Sequence, residues 1–192
     1  MAHDTFSLLP EVLDPDKAHL PLLLLDIDGV LNAYKHDPKK APLPAHAYQD
    51  LTSYSVSTVG GRAFTFWTSP TLISEINALD ASGTVEIAWL TTWQYQANAC
   101  VSPVLGLPQF PVAADQGGRF SDYYWKPRAA SEALTLDRPI IWIDDVEIAD
   151  SVRKEYEESD IPHLLIAPDS RHGLLPGDIA AVKEFIAHHA AS

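Results

Sequence analysis

Leu22-Leu23-Leu24-Leu25-Asp26-Ile27-Asp28-Gly29-Val30-Leu31-Asn32 is the stretch whose reading decides the fold. Four consecutive leucines lack the alternation of a half-exposed strand, so they read as a strand of a parallel sheet covered on both faces. The strand ends at two aspartates. Ligands of open parallel sheets sit beyond the carboxyl ends of the strands, which aims Asp26 and Asp28 at a binding crevice. Carboxylates this close repel one another and call for a cation. Taken alone, Asp28-Gly29 also reads as a plain solvated turn.

Upstream, residues 1–20 carry Pro10 and Pro15 without periodicity and read as an irregular lead-in to a single domain over 21–192. Downstream, residues 33–51 are rich in Pro and Lys and read as a surface loop. Residues 54–59 and 62–67 are rich in β-branched and aromatic side chains and flank Gly60-Gly61, which is a hairpin signal. Ser69-Pro70 opens a helix to about Leu79, with Gly83 as a breaker. Strands follow at 85–90, 110–113, 140–143 and 163–166. Helices are expected from near Trp93 to Leu105, from Lys126 to Leu134, over 146–158 and over 178–189, with loops at 115–124 and 169–173. Strands alternating with helices give a parallel α/β sheet.

Four stretches, taken in order, resemble the motifs of the haloacid dehalogenase (HAD) superfamily of phosphohydrolases. Asp26-Ile27-Asp28-Gly29-Val30 is similar to the first motif, and Ile87-Ala88-Trp89-Leu90-Thr91-Thr92 to the second. Lys126, in Trp125-Lys126-Pro127, is similar to the third, and Ile140-Ile141-Trp142-Ile143-Asp144-Asp145 to the fourth. More narrowly, Thr91-Thr92-Trp93, Trp142-Ile143-Asp144-Asp145 and Gly173-Leu174 resemble an uncharacterised HAD family with members attached to RNA repair proteins. The resemblance implies a Rossmann-like sheet of five parallel strands with the first in the middle. It also makes residues 33–68 a β-hairpin flap over the site, too short for a separate cap domain.

The same resemblance implies roles. Asp26 would attack phosphorus and form an aspartyl-phosphate, and Asp28 would be general acid and then general base. Thr91 would hydrogen-bond the transferring phosphoryl group, with Thr92 competing for that place, and Lys126 would neutralise nucleophile and phosphate together. A cation at Lys126 opposes the dipole of the helix it opens and so needs a reason, the bland alternative being a surface charge beside the helix start. Converging carboxylates with few counter-charges suit Mg2+, which prefers oxygen ligands and phosphate oxygens. Its ligands would be Asp26, the Asp28 carbonyl and one of Asp144 and Asp145, with Asp145 favoured as the direct ligand and Asp144 outside it. Gly29 and Arg62 are further candidates for contact with the phosphate or substrate, and Asp150 reads as a solvated helix residue. Trp93 and Trp125 adjoin motif residues, which leaves a base-stacking role open beside a core one.

At 192 residues and 46% apolar content the chain suits one ordinary domain, with no apolar run of membrane length. Residues 1–20 show neither a basic leader nor a sustained apolar segment, and the single Cys100 excludes an intramolecular disulfide, so a cytoplasmic protein is expected. A net charge of −13 disfavours extended binding to nucleic acid. The expected substrate is therefore a phosphorylated small molecule or nucleotide. Two rivals stay open: a phosphatase for polynucleotide ends in RNA or DNA repair, and a non-catalytic binding module on the same fold.

Overall fold

The computed structural model describes residues 12–37, 42–114 and 124–189, and in it the four leucines form strand β1 (Leu22–Leu25), fully buried along its length. A hairpin follows, β2 (Thr52–Ser57) and β3 (Ala63–Thr68), paired antiparallel from Thr52 with Thr68 to Ser57 with Ala63. Helix α1 (Pro70–Ala81) leads to β4 (Glu86–Trp89). A single π turn (Ala97–Val101) runs into the short α2 (Ser102–Leu105). Then come α3 (Trp125–Ala133), β5 (Ile140–Ile143), α4 (Asp150–Glu157), β6 (His163–Ile166) and α5 (Pro176–His189). The protein is thus α/β, with a parallel sheet in the order β4-β1-β5-β6 and a separate antiparallel pair.

Alternation along the strands divides the core into two faces. Leu23 and Leu25 pack with Ile141, Ile143 and Trp89 under α1 and α5, while Leu22 and Leu24 pack with Ile140, Trp142 and Ala88 under α3 and α4. Burial on both sides accounts for the unbroken leucine run, each side chain contributing about 1.5–3 kcal/mol on leaving water. Helix α1 starts where Ser69 caps it: its Oγ accepts from the Leu72 amide at 3.1 Å, and Pro70 occupies the first turn.

Several expectations are corrected. The described sheet has four strands; residues 110–113 supply only one parallel bridge, between Trp89 and Val112, flanked by hydrogen bonds of Trp89 to Pro111 and Ala113. The helix expected over 146–158 begins only at Asp150, because Asp144 Oδ1 accepts the Val146 and Glu147 amides and holds that segment as a turn. Most of the 115–124 loop, and residues 1–11 of the lead-in, lie outside the described residues. The remainder of the lead-in holds one 3-10 turn (Pro15–Lys17). The Asp14 amide reaches Glu86 there, and Glu86 forms a buried ion pair with Arg138 at 2.7 Å. No helix among the described residues is long and apolar enough to cross a membrane.

Candidate functional site

The site begins with register. Leu25 of β1 lies opposite Ile143 of β5, so the next residues, Asp26 and Asp144, emerge side by side; Asp26 N bonds Ile143 O and Asp144 N bonds Ile166 O, both at 3.1 Å. Alternation turns both toward the face that carries Leu24, Trp142 and α3. Lys126 sits in the first turn of α3 on that face, and its ammonium meets Asp26 Oδ2 and Asp144 Oδ2, each at 2.8 Å. All three side chains are buried, with exposures of 4% for Asp26, 5% for Lys126 and 0% for Asp144.

One cation between two carboxylates leaves the cluster short of positive charge. Burial pushes the Asp26 carboxyl up to about 7, with Asp144 adding to the rise and Lys126 opposing it. Burial alone would lower Lys126, but the two carboxylates outweigh it and hold the ammonium above its ordinary value. Asp145 and Glu147, both half-buried, are raised by burial and by the neighbouring Asp144 charge.

The two acids that end β5 do different things. Asp144 is saturated: Oδ2 takes Lys126, and Oδ1 takes the Val146 and Glu147 amides at 3.0 and 2.8 Å. Asp145 engages no other side chain through a hydrogen bond among the described residues, and it lies directly over Gly29. A Cβ at Gly29 would fall 2.1 Å from the Asp145 carboxyl carbon, and Gly29 takes φ +79°, so a side chain here would be blocked by both contact and conformation. Asp26 Oδ1 is buried and has no hydrogen-bond partner among the described residues. Carboxylate oxygens of Asp26, Asp144 and Asp145 lie within 4.8 Å of one another, so the group can hold a metal ion. An orphaned buried oxygen beside an uncommitted carboxylate suits a hard cation.

Asp28 stands next to this group and is held by both oxygens. Asn32 Nδ2 donates to Oδ1 at 2.8 Å and the Trp93 indole Nε1 donates to Oδ2 at 2.9 Å. No hydrogen bond is donated to its backbone carbonyl among the described residues. The loop from Asp28 to Asn32 is closed from behind by the loop between β6 and α5, where the Leu174 amide bonds the Val30 carbonyl at 2.9 Å. Gly173, at φ +66°, lies so close that a Cβ would meet that carbonyl oxygen at 2.5 Å.

Among the other candidates, Thr91 is buried at the end of β4 with its hydroxyl 3.4 Å from the Trp93 amide, whereas Thr92 is exposed. Arg62 is exposed at the hairpin turn, its guanidinium 4.7 Å above the Phe64 ring. Among the described residues, no hydrogen bond or ion pair joins Thr92 or Arg62 to Asp26, Asp28, Asp144 or Asp145. Asp150 is exposed at the start of α4, and Trp125 is core. The base-stacking role left open for Trp93 is corrected: the ring is 8% exposed, with Phe64 and Phe66 set edge-on to it at 5.5 and 5.4 Å.

Asn32 and Glu147 belong to this neighbourhood and escaped sequence reasoning. Asn32 left a trace, a polar residue flanked by Leu31 and Ala33 four places after Asp28; Glu147 left none in an acidic segment. No family model, curated protein or solved structure compared with the chain matches it.

Proposed function

We propose that the chain is a Mg2+-dependent phosphomonoesterase of the HAD type, working through an aspartyl-phosphate. The observation that carries this reading is Asp26: a buried carboxylate at the end of the central leucine strand, with one oxygen on Lys126 and the other without a partner. A carboxylate so placed is desolvated and oriented, with one oxygen uncommitted, as a nucleophile requires.

Mg2+, held by Asp26, Asp145 and the Asp28 carbonyl, would supply positive charge to the phosphoryl oxygens. The chain's own residues do the rest. The Asp26 carboxylate attacks phosphorus, the bond from phosphorus to the leaving oxygen breaks, and Asp28 gives that oxygen its proton. Asp28 then takes a proton from water as the water oxygen attacks the aspartyl-phosphate; the bond to Asp26 breaks, releasing inorganic phosphate and restoring the carboxylate. Lys126 fixes the nucleophile and offsets charge on the transferring group. Thr91, buried at the end of β4, is the hydroxyl offered to the phosphoryl oxygens. Asp144 keeps Lys126 in place.

The test is a panel of phosphorylated metabolites and of oligonucleotides ending in 3′- or 5′-phosphate, assayed with Mg2+ on the wild type and on Asp26→Asn. The wild type is expected to release phosphate from at least one class, and Asp26→Asn from none while still folding cooperatively. Wild-type turnover in Asp26→Asn would overturn the covalent mechanism. Release confined to oligonucleotide ends would transfer the reading to nucleic-acid repair.

A further inference from the structure

We propose that Trp93 is a positioning residue for Asp28, and that the β2–β3 hairpin acts on the chemistry through it; this rests on the phosphomonoesterase reading and names what orients its acid. Each oxygen of the Asp28 carboxylate has one donor, Asn32 Nδ2 at 2.8 Å and Trp93 Nε1 at 2.9 Å. Both donors are gripped by β3. Trp67 donates its amide to Asn32 Oδ1 at 2.9 Å and accepts from the Ala33 amide at 2.8 Å, while Phe64 and Phe66 pack edge-on against the Trp93 ring.

The backbone beside Trp93 agrees. Gln94 takes φ +49°, a left-handed conformation that non-glycine residues seldom adopt, in the turn where the Trp93 ring leaves β4 for Asp28. A buried indole N–H usually finds an acceptor, and a backbone carbonyl would satisfy it equally well. Here it is given to the one side chain that must present a proton to the leaving oxygen. Proton transfer in the transition state demands the donor within hydrogen-bond reach and correctly aimed. A carboxyl gripped at both oxygens has lost its freedom to swing. The hairpin is thereby a brace for the acid, whether or not it also shapes the entrance.

The experiment uses the full chain with Mg2+, comparing the wild type with Trp93→Phe on para-nitrophenyl phosphate and on phenyl phosphate. Nitrophenolate leaves without much help from an acid, whereas phenolate needs the proton. General acids contribute on the order of 10²–10⁴-fold, so a misaimed one should cost phenyl phosphate about tenfold more than para-nitrophenyl phosphate in kcat. Phe64→Leu, at a half-buried position, should shift the same ratio in the same direction. Equal losses on the two esters, or unchanged rates, overturn the proposal, since a merely structural tryptophan would affect both alike. The indole N–H resonance of Trp93, assigned by its absence in Trp93→Phe, should move in Asp28→Ala; a stationary resonance overturns the contact itself. A wild type that turns over no phosphate ester fails the phosphomonoesterase reading, and the indole resonance then judges the clamp separately.

Discussion

Lys126 faces Asp26 and Asp144, and of the two acids that end β5 each answers for a different part of the site. Asp144 spends all its acceptors on Lys126 and the turn before α4, so neutralising it should disturb the fold first. Asp145 spends none on another residue among those described, so neutralising it should disturb cation binding first. Asp145→Asn is therefore expected to keep the melting temperature of the cation-free protein while losing most of its rise with Mg2+, and Asp144→Asn to lower the melting temperature with or without Mg2+. Thermal melts over a Mg2+ titration check both. Removing Lys126 by Lys126→Met leaves two buried acids uncompensated and should cost about 3–5 kcal/mol in denaturant unfolding.

The Asp26 carboxyl carries a pH dependence whose sign follows from burial. It rises from the ordinary carboxylate value to about 7 without a cation, so the folded protein holds a proton there at pH values where the unfolded chain has released it. This favours folding at low pH and is lost as pH climbs through that window. A metal ligand must be ionised, so Mg2+ competes with that proton. Apparent Mg2+ affinity should therefore strengthen by up to about tenfold per pH unit below 7 and level off above it, as titration calorimetry at several pH values would show.

At the scale of elements, the loops matter more than the strands that carry them. Gly173 approaches the Val30 carbonyl in a left-handed conformation, so Gly173→Ala is strained twice and should destabilise by more than about 1 kcal/mol in chemical denaturation. It should also loosen the Asp28 loop and lower turnover. Such contacts explain what the sequence concealed. The leucine strand and the Ser69-Pro70 helix start were legible because each is set by neighbours in the chain. Lys126 was legible as a cation at an unfavourable helix position. The division of labour between Asp144 and Asp145 was not, since two identical residues differ only through the backbone turn that follows them. Residues 110–113 looked like a strand because apolar runs do, yet edge pairing there stops at one bridge. The fate of the Trp93 indole was hidden as well, because its partner lies far away in sequence and its neighbours in space come from the hairpin.

Across the whole molecule, the acids that define the site occupy one end of the sheet, and the Arg138–Glu86 pair is buried where β4 begins, at the other. With Arg138 also donating to the Leu20 carbonyl at 2.6 Å, that end is bolted through side chains, while the site end is closed by loops. The closure between Val30 and Gly173-Leu174 joins the loop after β1 to the loop between β6 and α5, and that carries a consequence in time. A contact between such distant segments has a costly loop to close and forms late when folding starts from local structure. Strand β1 can pair with β4 and β5 well before the loop that follows it is fastened, so a partly folded chain would bury its tryptophans while Asp28 still moves. Refolding should accordingly show intrinsic fluorescence recovering ahead of phosphate release, with the lag lengthened in Gly173→Ala. On the phosphomonoesterase reading proposed above, a nascent chain would release no phosphate until the β6–α5 loop had docked.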